Sequence, residues 1–117
     1  MIKQPLLCIL LLLCCLPARA GLIINEVNLG SRDYFELFNY GTADLNLAGY
    51  TATVADSWGF GFDIQFGDTD MAANSGIALV AESPLSGEIN AKRNITWHYS
   101  RNLSLTLRNG ARQVVDF

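Results

Sequence analysis

Catalysis in this chain would have to draw on very few side chains. There is one histidine, His98, so a serine–histidine–acid triad would have to use it. No Gly-x-Ser-x-Gly elbow stands in the sequence to present a nucleophile. His98 lies between Trp97 and Tyr99 and reads as an ordinary strand residue. Glu26 and Glu36 could be the carboxylate pair of a glycoside hydrolase, but a domain this small offers little cleft to hold a sugar. Asp68-Thr69-Asp70, with Asp63 nearby, is the candidate metal cluster. Calcium wants several oxygen ligands, and the loop pattern fails at its fifth position, where Ala72 stands. A solvated turn is the preferred reading. We therefore expect no enzyme, no metal and no cofactor.

Binding chemistry is better represented. Residues 21–91 carry ten acids and one base, Arg32, for a charge of −9. Residues 92–117 carry Lys92, Arg93, Arg101, Arg108 and Arg112 against Asp116, for +4. Arginine forks suit phosphate and carboxylate, so these five cations are the candidate binding strip. The alternative is that they are solvated charges that offset the acidic remainder and keep an edge strand from pairing with other chains. Five scattered charges are a thin footprint for nucleic acid, and the net field repels it, so the alternative is preferred.

The elements that must position these residues are strands. Phe35 and Leu37 alternate with Tyr34, Glu36 and Phe38, the period of two that a strand requires. Asn39-Tyr40-Gly41-Thr42 supplies turn residues, and Leu45, Leu47 and Tyr50 open the next apolar segment, continued by Thr51–Val54. Trp58, Phe60, Phe62, Ile64 and Phe66 alternate with small or polar residues. An aromatic ligand platform is one reading of these five, and a buried sandwich face is the preferred one. Ile77–Ala81 is a short apolar strand, and Ser83-Pro84 opens a loop to about Asn94. Leu103, Leu105 and Leu107 share a face, Asn109-Gly110 turns, and Val114-Val115 returns, as a hairpin does. Arg108 then faces outward beside Ser104 and Thr106, while Arg101 has the parity of the leucines. The core is expected to rest on Phe35, Leu37, Leu79, Leu105 and the Trp58–Phe66 face.

Residues 1–20 read as a secretory signal peptide. Lys3 provides the positive start, Leu6–Leu16 the apolar run, and Ala18-Arg19-Ala20 the small-residue cleavage site before Gly21. All three cysteines fall in this leader, so a processed chain would have no disulfide. The remaining 97 or so residues form one expected domain, 21–117, which buries roughly 65% of its unfolded surface. The sequons at Asn94 and Asn102 are read as chance occurrences.

Ile24-Asn25-Glu26-Val27, Asp33–Gly41 and Leu47-Ala48-Gly49-Tyr50, with the closing Leu103–Leu107, Asn109-Gly110 and Val114-Val115-Asp116, together resemble the lamin-tail domain. The resemblance covers nearly all of residues 21–117 and departs from the family at Gly67–Gly76, where a proline–glycine turn is commoner. It implies an immunoglobulin-like antiparallel β-sandwich that acts as an interaction module for protein or DNA. It supplies no ligand of its own. The resulting expectation is a secreted, non-catalytic module that binds a protein or cell-surface partner, with nucleic acid or another polyanion as rival ligand and a small hydrolase last. No membrane span is expected in the processed chain.

Overall fold

The computed structural model describes residues 21–95 and 102–117. The leader with Ala20, and Trp97, His98, Tyr99 and Arg101, lie outside the described residues. The alternation at 33–39 becomes strand β2 (Asp33–Asn39), with Phe35, Leu37 and Asn39 buried. β2 pairs antiparallel with β1 (Leu22–Leu29) on one side and β7 (Gly76–Ala81) on the other. A short β8 (Ile89–Asn90) completes this sheet and is parallel to β7. The second sheet runs β10-β9-β4-β5, built from β4 (Thr51–Asp56), β5 (Gly61–Gln65), β9 (Leu103–Arg108) and β10 (Val114–Asp116). Between the sheets' ends, β3 (Leu45–Asn46) pairs with β6 (Asp70–Met71). No helix occurs among the described residues, and the architecture is an all-β, predominantly antiparallel sandwich.

Phe35, Leu37 and Val80 of one sheet meet Ala52, Val54, Ile64, Leu105 and Leu107 of the other, while Leu47, Met71 and Ile95 close the ends. Each of these valine, leucine, isoleucine, phenylalanine and methionine side chains, fully buried, contributes about 1.5–3 kcal/mol. Asn39 is the one buried polar side chain among the described residues. Its amide nitrogen donates to the carbonyls of Ala43, Met71 and Ala72, and its Oδ1 accepts from Gly41 N at 3.0 Å and Gly21 N at 3.3 Å. The burial is tolerated because donors and acceptor alike are satisfied.

Three expectations are corrected. Trp58 and Phe60 are not core: they are 63% and 69% exposed. Asp56 Oδ1 accepts from the amides of Trp58 and Phe60 at 2.8 and 3.1 Å, and Gly59 takes a φ of 87°, so the chain turns there. The strand starts only at Gly61, leaving Phe62 half-buried and Ile64 and Phe66 buried. Leu79 is likewise outside the core. It pairs with Glu36, so Ala78 and Val80, opposite Leu37 and Phe35, take the inward positions. Finally, the segment after Ser83 is not all loop: Ile89 and Asn90 pair with Val80 and Ala81, and Ala91 and Ile95 are buried.

Candidate functional site

The described cations of the expected strip are not gathered in one place: Arg108 and Arg112 line one cavity and Arg93 borders another. Arg108 ends β9 and projects outward with Ser104 and Thr106, as its parity requires. Its Nη1 donates to Thr53 Oγ1 at 3.1 Å, and that hydroxyl donates to Asp63 Oδ1 at 2.7 Å. The three side chains cross β9, β4 and β5 on the polar face of one sheet. Arg112 sits in the hairpin turn at a φ of 62°, where Asn109 Oδ1 accepts from the amides of Ala111 and Gln113. Arg108 and Arg112 line a shallow cavity of about 380 Å³ with Thr51, Thr53, Asp63 and Gln65. Asp63 offsets part of their charge.

Arg93 and Lys92 stand elsewhere. The Arg93 guanidinium lies 5.8 Å from the Phe62 ring centre and caps that half-buried side chain. It also borders a small polar cavity with Glu82, Ser83 and Asn94. Lys92 occupies a left-handed turn at a φ of 56°, its amide held by Asn90 Oδ1 at 2.7 Å. Arg101 lies outside the described residues.

The carboxylates are engaged in local structure. Glu26 and Glu36 face each other across β1 and β2, where Tyr34 donates its hydroxyl to Glu26 and Asn25 donates its amide to Glu36. Glu26 thereby pushes the Tyr34 phenol up from its ordinary value. Asp68 and Asp70 both accept from the Asn46 amide, at 2.5 and 2.8 Å, while Asp63 is on β5 against Thr53. Among the described residues no three histidine, cysteine or acidic side chains gather as a metal site would need.

Two features were not foreseen. Arg32 makes a bidentate pair with Glu88, at 2.6 and 3.0 Å, and its guanidinium lies 5.3 Å from the Tyr34 ring centre. Glu88 also accepts from Leu85 N at 2.8 Å, so the loop before β8 is clamped onto the β1–β2 turn. The Arg32 fork, then the Leu85 amide, hold the Glu88 carboxyl below the usual carboxylate range. The hydrogen bonds to Glu88 in turn raise the Arg32 guanidinium. The signal in the sequence was Arg32 itself, the single base among ten acids at 21–91.

The second feature is a groove of about 910 Å³ that, among the described residues, lies between β1 and β9. Ile24, Val27 and Leu29 form one wall, Leu103 and Leu105 the other, and Val114 and Phe117 one end. Asp116 closes part of the gap by accepting from Ile24 N at 2.8 Å, which ties β10 to β1 across the two sheets. Val27, Leu29, Val114 and Phe117 remain exposed. Among the described lining residues the only ionisable side chain is Arg108, so the groove is built to bury apolar groups. No protein-family model matches this chain, and no curated protein is found to match it.

Proposed function

We propose that the protein is a secreted, non-catalytic interaction module of lamin-tail type, and that it binds a protein partner in the apolar groove between β1 and β9. The groove is the observation that carries this reading. Exposed apolar side chains from both sheets converge there, and water gains nothing from solvating them. An all-β sandwich agrees with the resemblance of the strand motifs, which links the fold to interaction rather than to chemistry. A polyanion at Arg108 and Arg112 has weaker support, because Thr53 and Asp63 already engage or offset that charge.

Site-specific photocrosslinking in the producing cells tests the reading. A crosslinker at Leu29, on the groove rim, should give a discrete protein adduct, and one at Gln65, on the polar face, should not. The adducted protein, identified and purified, should bind the parent and lose about tenfold or more in affinity for Leu29→Asp. Equal adducts at both positions, or none at Leu29, would overturn the proposal.

A further inference from the structure

We infer that the polar face of the second sheet holds a site for one hexuronate ring, a sugar with a single carboxylate, separate from the apolar groove and independent of it. The pairing registers build its floor. Arg108, Thr51 and Gln65 stand opposite one another across β9, β4 and β5, and Thr106, Thr53 and Asp63 form the next row on the same side. Leu107, Ala52 and Ile64, in the row between, point into the core, so the two flanking rows face outward. Strands lie about 4.8 Å apart and alternate residues about 7 Å apart along a strand, so the floor measures roughly 10 by 7 Å. That is the footprint of one pyranose ring. The hairpin turn that carries Arg112 and the turn at Gly49 border this floor, and the cavity of about 380 Å³ has room for such a ring. Floor and walls alike consist of described residues.

The charges and the free hydrogen-bonding groups select the ligand. Two arginines and one aspartate line the cavity, a balance of +1. One carboxylate neutralises it, whereas a phosphate dianion leaves excess negative charge and a neutral sugar leaves a guanidinium unmatched. Arg108 Nη1 donates to Thr53, whose hydroxyl donates to Asp63, and this chain across the floor fixes the Arg108 guanidinium before any ligand arrives. The Arg112 guanidinium, the Thr51 hydroxyl and the Gln65 amide have no partner among the described residues. The Arg112 fork suits a carboxylate. Thr51 and Gln65 can each donate and accept, which is what a ring of hydroxyls requires and a simple anion does not use.

Galacturonate titrated into the purified, isotopically labelled protein and followed by amide chemical shifts tests the site. The amides of Thr51, Thr53, Gln65 and Arg108 should shift saturably, with a Kd of about 1 mM. Galactose, which lacks the carboxylate, and acetate, which lacks the ring, should each bind about tenfold or more weakly. Arg112→Gln, in an exposed turn and checked for an unchanged circular dichroism spectrum, should weaken galacturonate by about tenfold and leave galactose unchanged. Digalacturonate distinguishes the source of the ring: tighter binding than the monomer marks a chain end, equal binding the free acid, and either supports the site. Affinity for acetate or inorganic phosphate equal to that for galacturonate reduces the site to a cationic patch and overturns the inference. Absence of saturable shifts on this face overturns it too. Neither result bears on the apolar groove, which stands or falls with the Leu29 adduct.

Discussion

The Asn39 carboxamide donates to the Met71 carbonyl at 3.1 Å and so joins the end of β2 to the end of β6 inside the sandwich. The same side chain holds Ala43, Ala72, Gly41 and Gly21, so one residue organises the turn after β2 and the entry to β1.

Asn39→Ala should therefore destabilise the domain by about 2–4 kcal/mol, since buried backbone groups lose their partner while nothing fills the space. Urea unfolding monitored by circular dichroism measures it. A cost below about 0.5 kcal/mol would mean that water replaces the amide without penalty.

The aromatic run should split into two energetic classes. Phe62 is half-buried against the core and capped by Arg93, so Phe62→Ala should cost about 2–3 kcal/mol, less than a fully buried phenylalanine. Trp58→Ala, in the exposed turn, should cost under about 1 kcal/mol. Equal, large costs would restore the continuous buried face that the alternation suggests.

Acid should weaken the Arg32–Glu88 clamp. The Glu88 carboxyl is held below its ordinary range in the fold, chiefly by Arg32 and then by the Leu85 amide. Its contribution is complete above the unfolded glutamate pKa and is lost as pH falls through the lowered folded value. Between about pH 6 and about pH 3 the parent should lose more stability than Glu88→Gln. Parallel stability curves for the two proteins would sink the linkage.

Duplex DNA should bind weakly and hardly at all near physiological salt. The chain has a net charge of −3, and the shared Arg108–Arg112 cavity includes Asp63. Arg108→Ala combined with Arg101→Ala should leave the weak binding unchanged in a fluorescence-anisotropy titration. Tight, salt-sensitive binding abolished by that pair would move the binding surface to the basic residues.

Export should yield a chain beginning at Gly21. Ala18 and Ala20 satisfy the small-residue requirement of cleavage. In the fold Gly21 N already lies 3.3 Å from Asn39 Oδ1, an acceptor that suits a new terminal ammonium group. N-terminal sequencing of material from the medium or periplasm checks this. Protein that retains Met1 on membranes contradicts it.

What the sequence by itself determined is the local part of this architecture. Alternation at Phe35 and Leu37, and at Leu105 and Leu107, is a property of neighbouring residues, and the side-chain period of a strand places them inward without reference to the rest of the chain. Arg108 faces outward for the same reason. The same rule misplaced Trp58 and Phe60, because hydrogen bonds from their amides to Asp56 compete with the strand and turn the backbone. It misplaced Leu79 because within an apolar run the inward parity is set by the partner strand, here by Leu37 opposite Ala78. Tertiary structure alone decided that Arg32 meets Glu88, 56 residues away, and that Arg93 borders a different cavity from Arg108 and Arg112. It also decided the groove, whose walls come from β1 and β9 in different sheets.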